Sequence, residues 1–429
     1  MKIQTNEKGH LLFGGYDTTE LANKFGSPLY VIDSDIIKKN CGIYVNAINK
    51  FYGGNGMCAY AGKALFNTRI AQIVNDCGCG IDVVSGGELF TALHAGIDPK
   101  KLIFHGSNKS PNEIEMGIKN NVGRFVSDSM LEIDRIDETA EKAGIVQNVL
   151  LRLSPGIEAH TNEMVMTAKL DSKFGIVTEN GFAIEVIGEV LKRKNIALKG
   201  IHCHIGSQIF EISPFEEVAR RFVEIIANVK QKYGVELDEM NLGGGFGIAY
   251  IDEHNPITFD KYIEKVSQII KNETAAANIK MPFIIMEPGR SIVGESGITL
   301  YTAGAIKKID GVRNYLSVDG GMTDNPRYSL YKSPYTVVNA SRACEKTDWN
   351  CTVSGRCCEE DTLQPNVSLP KSTIHGDIIA FLSTGAYNYS MSSNYNRLPK
   401  PAMVILNDGE VREIVKRETY EDLVRNDIV

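Results

Sequence analysis

Gly200-Ile-His-Cys-His-Ile-Gly-Ser-Gln208 and Glu239-Met-Asn-Leu-Gly-Gly-Gly-Phe-Gly247, joined by the segment Ser213–Gly234, decide the fold. Each outer stretch opens on a short apolar run and ends in glycine and polar residues. Such runs read as strands buried on both faces, the mark of a parallel sheet. The segment between them reads as a helix. Ser213 is its expected N-cap and Pro214 its first helical residue, with Glu216 and Glu217 in the first turn. Phe215, Val218, Phe222, Ile225, Ile226 and Val229 form one stripe. Lys230 and Lys232 load the last turn, and Gly234 is placed to end the helix.

The same strand–helix alternation extends in both directions. Further apolar runs occupy Met57–Ala61, Gly80–Val84, Lys101–His105, Val122–Ser127, Val149–Leu153 and Phe283–Glu287. With Gly200–His204 and Glu239–Leu242 they make eight, which predicts a (β/α)8 barrel. A doubly wound sheet is the alternative, but no GxGxxG follows the first run. After about Arg290 the pattern alternates, as in Ile298-Thr-Leu-Tyr-Thr, Ile378-Ile-Ala-Phe-Leu and Ala402-Met-Val-Ile-Leu. This predicts an antiparallel β domain. The opening stretch, with its Gly14-Gly15 turn and Leu29-Tyr-Val-Ile, is expected to add strands to it. The division read from the sequence is 1–30 as a segment of the β domain, 31–285 as the barrel and 286–429 as the C-terminal β domain.

The composition excludes several classes. The 429 residues are 43% hydrophobic and 23% charged, as in ordinary globular domains, and carry a net charge of −7. That balance offers no general attraction to nucleic acid or anionic membranes. No run of 18 apolar residues occurs and the start lacks a signal-peptide apolar region. The nine cysteines show no zinc-type pairing, so a reduced, cytoplasmic setting is expected.

Barrel active sites gather at the C-terminal strand ends. Read there, the runs deliver Lys63, Asp82 with Glu88, His105 to Lys109, His202 to Gln208, Gly243-Gly244-Gly245, and Glu287-Pro-Gly289-Arg290-Ser291. Three glycines alone mark a tight turn. Placed after the seventh run, with Ser207 and Arg290 near in the fold, they suit a phosphate. Lys63 is either an ion-paired lysine or a Schiff-base amine. A phosphate plus such a lysine describes pyridoxal 5'-phosphate (PLP). Glu287 could then reach the ring nitrogen, or merely pair with Arg290. His204 could lie over the ring, or be a core histidine or a zinc ligand. His202 and His204 are read as pointing to opposite faces, and no metal is expected.

Taken together, the segments resemble the alanine-racemase-type (fold type III) PLP-dependent decarboxylases, and within them the diaminopimelate decarboxylase branch. The carriers run from Gly26 to Asn396 in one order. They are Ala59-Tyr-Ala-Gly-Lys63-Ala, Asp82-Val-Val-Ser-Gly-Gly-Glu-Leu, His160-Thr with Ser172-Lys-Phe-Gly175, and His202-Cys-His-Ile-Gly-Ser-Gln208. After them come Asn241-Leu-Gly-Gly-Gly-Phe-Gly247, Glu287-Pro-Gly-Arg-Ser291, Arg327-Tyr-Ser-Leu-Tyr331, Cys358-Glu359 and Gly385-Ala-Tyr387.

The resemblance implies a homodimer with shared active sites and PLP as cofactor. It implies decarboxylation of meso-2,6-diaminopimelate to L-lysine, the last step of lysine biosynthesis. It makes Lys63 the Schiff-base lysine and Cys358 a second catalytic residue. His204 stacks on the cofactor ring, and Glu287 meets the pyridine nitrogen. Asp82, Ser207, Gly243, Gly244, Gly245, Gly289, Arg290 and Tyr387 complete the cofactor site. Arg290, Arg327, Tyr331, Glu359 and Tyr387 are the substrate residues it implies.

One segment departs from the family. Members usually read Cys-Glu-Ser-Gly-Asp, whereas this chain reads Cys357-Cys358-Glu359-Glu360-Asp361. Either cysteine can be the aligned one; Cys358 keeps the usual offset from Gly355. Tyr328 also stands where proline is usual. The nearest alternative is a decarboxylase of ornithine, lysine or arginine on the same fold. A PLP-binding regulator without activity would be expected to lack Lys63 or the glycines. A metal-dependent barrel hydrolase finds too few ligand pairs at the strand ends.

Overall fold

All eight apolar runs form strands, and each pairs in parallel with its neighbours. They are β1 (Gly56–Ala61), β2 (Gly80–Val83), β3 (Leu102–Phe104), β4 (Arg124–Ser127), β5 (Gln147–Ser154), β6 (Ile196–His202), β7 (Glu239–Asn241) and β8 (Phe283–Met286). β8 pairs with β1, and β4 with β5, so the sheet closes into a barrel. Ala59, Ile103, Val126, Leu150 and Ile285 meet inside it. Closure pairs each of these eight strands on both sides, Ile176–Val177 pairs outside the ring with the end of β5, and the interior is filled by side chains from alternating positions. The computed structural model describes residues 3–157 and 173–428. His160 and Ser172 of the sequence motifs lie outside the described residues.

The helix predicted after β6 runs from Ser213 to Tyr233 and buries all six residues of its stripe. Its start differs from expectation. Ile212 takes the N-cap position and Ser213 makes no capping bond. Pro214 already fixes the helical φ and needs no N–H partner, so the start holds without a side-chain cap. At the other end Gly234 adopts φ 69° and its N–H closes on Lys230 O. That left-handed geometry is easily reached only without a Cβ.

The chain divides into two compact units. The barrel comprises Lys38–Gly247 and Pro256–Ser291. The second unit comprises Met1–Ile37, Ile248–Asn255 and Ile292–Val429. Its sheet contains β9 (Gly297–Ile309), β10 (Arg313–Val318), β11 (Val337–Asn339), β12 (Thr347–Ser354), β13 (Thr362–Pro370), β14 (Ile378–Phe381), β15 (Ala402–Asn407) and β16 (Glu410–Val415). The N-terminal strand Leu29–Asp33 inserts between β9 and β15. The sheet is mixed: most pairs are antiparallel, but Leu29–Asp33 runs parallel to β15 and β10 parallel to β12. Leu29, Val31, Ile298, Leu300 and Val404 share its core. The Gly14-Gly15 turn joins Leu11–Phe13 to Tyr16–Asp17 in a separate three-stranded sheet. Among the described residues no helix is long and apolar enough to cross a membrane.

Candidate active site

The C-terminal strand ends of the barrel converge on one carboxylate. Glu287 follows β8 and is buried. It accepts hydrogen bonds from Asn241 Nδ2 at 2.6 Å, His105 Nε2 at 2.7 Å and His202 Nε2 at 3.1 Å. These donors sit at the ends of β7, β3 and β6. Burial alone would raise the Glu287 carboxyl; His105 and His202 instead hold it well below the usual carboxylate range. Burial pushes His202 down to about 4, against the pull of Glu287. His202 is therefore a neutral ring at neutral pH, donating through Nε2 while its Nδ1 has no partner. The result is a carboxylate kept ionised inside a dry barrel mouth.

Asp82, at the end of β2, lies 3.8 Å from His105 Nε2. Its burial raises its carboxyl, and Oδ1 has no hydrogen-bond partner. Lys63 is the exposed residue of a single turn, Gly62–Ala64, that follows β1 and whose other two residues are buried. The Ala61 N–H donates to Pro288 O at 3.0 Å, and a Cβ on Gly289 would press on Ala61 and Ala64. The turn bearing Lys63 is thus packed against the turn that follows Glu287.

Backbone turns form the rest of the mouth. A Cβ at Gly243 would collide with Cys203 O, at Gly244 with Glu287 O, and at Gly245 with Gly206 O. Gly243 and Gly245 have φ of 67° and 109°. Only glycine permits this approach, so the turns after β6, β7 and β8 interlock. The Gly244 N–H donates to His204 Nδ1 at 3.4 Å, which orients that ring, and Arg290 Nη2 donates to Ser207 Oγ at 3.0 Å. His202 and His204 were expected on opposite faces. Positions two apart share a strand face, and the structure turns both into this mouth.

Several residues here went unassigned in the sequence. His105 and Asn241 were visible only as polar strand-end residues, yet they hold Glu287. Glu88 accepts from the Val84 N–H at 2.6 Å. Burial raises its carboxyl to about 7, with Asp82 adding and Lys63 opposing. Arg152 on β5 lies over the Phe174 ring at 4.3 Å. His105, His202 and Glu287 each bring one ligand-type atom within 4.8 Å of the others. The two imidazole nitrogens already act as donors to Glu287, which suits a carboxylate clamp better than a cation.

The second unit holds the remaining candidates. The buried Arg327 guanidinium lies over the rings of Tyr331, at 4.6 Å, and Tyr387, at 5.0 Å. Tyr387 itself adopts φ 68°, a costly left-handed conformation for a bulky residue. Asp361 anchors the departing loop by accepting from the N–H groups of Met322 at 2.7 Å and Cys357 at 2.8 Å. Cys357 faces inward, its thiol pushed up to about 11 by burial and then by Asp361. Cys358 is exposed and its N–H donates to Asn396 Oδ1 at 2.9 Å. Glu359 accepts from the Tyr395 hydroxyl at 2.8 Å.

The chemistry of the barrel donors fits PLP. An ionised carboxylate, a nearby lysine amine, a ring-sized histidine and glycine turns that a Cβ would fill are all present at one strand-end face. Comparison with known proteins agrees. Residues 39–294 match the family described as pyridoxal-dependent decarboxylase, pyridoxal binding domain. The chain is 43% identical to a diaminopimelate decarboxylase of Bacillus methanolicus, covering 97% of this chain and 96% of that one. It is 41% identical to the diaminopimelate decarboxylase of Bacillus subtilis (strain 168), covering 99% and 96%. Its fold matches the crystal structure of a diaminopimelate decarboxylase from M. jannaschii in co-complex with L-lysine. That match has a TM-score of 0.92 at 35% identity, over 100% of this chain and 98% of that one. By that model match and those full-length similarities, this chain belongs to the diaminopimelate decarboxylase family of PLP-dependent decarboxylases.

Proposed function

We propose that the protein decarboxylates meso-2,6-diaminopimelate to L-lysine and CO2, completing lysine biosynthesis, as a cytoplasmic homodimer with shared active sites. The observation that carries this reading is the clamp on Glu287, combined with full-length similarity to diaminopimelate decarboxylases. When bound, PLP supplies an aldehyde for the substrate amine and a pyridine ring that takes up the electron pair released with CO2. Lys63 provides the amine that anchors the aldehyde between turnovers. Glu287, held ionised by His105, His202 and Asn241, keeps a proton on the ring nitrogen and so favours electron uptake. His204 would support the ring, with Asp82 and Tyr387 as further holding residues. Ser207, Gly243, Gly244, Gly245, Gly289 and Arg290 hold the phosphate.

Substrate recognition falls to Arg290, Arg327, Tyr331, Glu359 and Tyr387. The guanidinium groups pair with the far carboxylate, where a planar fork gives two parallel hydrogen bonds. Glu359 receives the far ammonium group. Cys358 or Lys63 returns a proton to the carbon that has lost CO2. Cys358 is favoured over Cys357 because it is the exposed thiol of the pair. Cofactor binding is assigned mainly to the barrel unit, Lys38–Gly247 with Pro256–Ser291, which includes Glu287, Gly289 and Arg290 beyond the boundary at 285 read from the sequence.

The test is CO2 release by the PLP-loaded protein from meso-diaminopimelate and, separately, from L-ornithine, L-lysine and L-arginine. Release from diaminopimelate alone is expected. Release from a basic amino acid instead would keep Lys63 and the fold but discard the Arg327 and Glu359 recognition model.

A further inference from the structure

His105 begins a turn, His105-Gly-Ser-Asn-Lys109, whose far end carries a lysine with no part in the chemistry above. His105, Lys109 and Glu132 are all buried. The Lys109 ammonium donates to Gly106 O and to Val126 O of β4, both at 2.8 Å. It also forms an ion pair with Glu132 Oε1 at 2.8 Å. An ammonium carries three N–H groups, and two carbonyls and a carboxylate surround this one. The other carboxylate oxygen, Glu132 Oε2, accepts from the Lys109 backbone N–H at 3.0 Å. Glu132 lies in the first turn of the helix Met130–Ala143. The lysine thus ties its own turn to β4 and to the helix that follows β4. Burial pulls the Lys109 ammonium down, and Glu132 opposes that most.

The near end of the turn is fixed as well. The His105 N–H donates to Val83 O at 2.8 Å. Gly106 takes φ 103°, and a Cβ there would press on Val84 O at 2.8 Å. Such bracing matters because two carboxylates face one ring nitrogen. His105 Nε2 stands 2.7 Å from Glu287 Oε1 and 3.8 Å from Asp82 Oδ1. That Asp82 oxygen has no hydrogen-bond partner, so a slack turn would let the ring donate there instead. Glu287 would then keep only His202 and Asn241. Stability alone does not account for the buried pair, since apolar residues of the same volume usually hold a fold as well or better. They would, however, offer no donor to Gly106 O, the carbonyl next to His105.

We propose that Lys109 and Glu132 are positioning residues for the reaction, bracing the His105 turn so that its Nε2 proton goes to Glu287 and not to Asp82. The proposal deepens the function given above and rests on its reading that Glu287 meets the pyridine nitrogen. The effect of the pair passes through His105 and Glu287, so it falls on the chemical step and not on substrate binding.

The test loads the protein with PLP carrying nitrogen-15 in its ring, whose NMR shift reports whether that nitrogen is protonated. Lys109→Met combined with Glu132→Leu removes both charges and keeps apolar bulk. Glu132→Gln is the milder change, keeping an oxygen for the Lys109 N–H, and serves where the double variant does not fold. Glu287→Gln tests the reading beneath the proposal. In the double variant the shift should move toward that of an unprotonated ring. Its kcat should fall about ten-fold, with KM for diaminopimelate within about two-fold of wild type. Glu132→Gln should move the shift the same way by less. A wild-type shift in a folded bracing variant, beside a moved shift in Glu287→Gln, would overturn the bracing role alone. So would a loss confined to KM or to urea stability. An unmoved shift in Glu287→Gln would overturn the reading of Glu287, and the bracing proposal with it.

Discussion

Glu287 and Glu359 are the two carboxylates assigned to cationic partners, and the molecule builds them in opposite ways. Glu287 is buried and clamped by three donors from three strand ends. Glu359 stands exposed on the loop between Cys357 and its anchor Asp361, and its carboxylate accepts one hydrogen bond, from Tyr395. In the barrel the electrostatics are set before any ligand arrives, so little reorganisation is needed during reaction. On the loop the carboxylate competes with water, and its pairing becomes strong only where a second surface excludes that water. Under the proposed function, the difference separates a catalytic carboxylate prepared inside the fold from a recognition carboxylate that a second, water-excluding surface would have to complete.

The largest effect should come from Lys63→Ala. Removing the amine should lower turnover by roughly 10⁴-fold or more. A variant retaining a tenth of wild-type turnover would break the assignment of the barrel mouth. Glu287→Gln keeps the shape but removes the charge that three donors were arranged around. A loss of about 10²–10³-fold in kcat is expected, with KM much less affected. Equal losses in Glu287→Gln and Glu359→Gln would erase the contrast between the two carboxylates.

The clamp should also be visible in stability. His202 titrates near 4 in the folded chain, against about 6.5 when unfolded. As pH falls from about 6.5 to about 4, the unfolded chain gains a proton that the folded one refuses. Stability therefore falls across that window, by an amount on the order of 3 kcal/mol. Urea unfolding at pH 7 and pH 4.5 should show a smaller pH dependence in His202→Asn than in the wild type. An identical dependence would show that this ring is not held neutral.

Arg327→Lys probes the recognition side. It removes the planar fork and its stacking over Tyr331 and Tyr387. KM for diaminopimelate should rise roughly 10–100-fold with kcat little changed. A fall in kcat alone would move Arg327 from recognition to the chemical step.

The barrel was legible because each strand is buried on both faces and leaves a continuous apolar run. The candidate site shows in the sequence as strand-end glycines and polar residues, among them Lys63 and Glu287. The clamp was less legible. His105 precedes Glu287 by 182 positions, and only barrel closure brings β3 and β8 to one mouth. The same holds for the parallel pairing of Leu29–Asp33 with β15, which no local pattern encodes. The start of the Ser213–Tyr233 helix shows the opposite error. A local signal, serine before proline, named a cap that the backbone did not use. Local pattern identifies elements, but the chemistry of this fold lies in contacts between residues far apart in the chain.

The smallest expected effect sharpens the comparison most directly. Tyr395→Phe deletes the hydroxyl that donates to Glu359 at 2.8 Å and leaves the ring in place. Glu359 and Tyr395 are exposed, so water can replace the lost donor and the bond contributes little. A rise in KM of no more than about five-fold is therefore expected, with kcat and thermal stability unchanged. If Tyr395→Phe instead costs as much as Arg327→Lys, Glu359 works in a water-poor site and the loop is as preorganised as the barrel. If the variant is silent even in KM, Glu359 finds its orientation from the substrate alone.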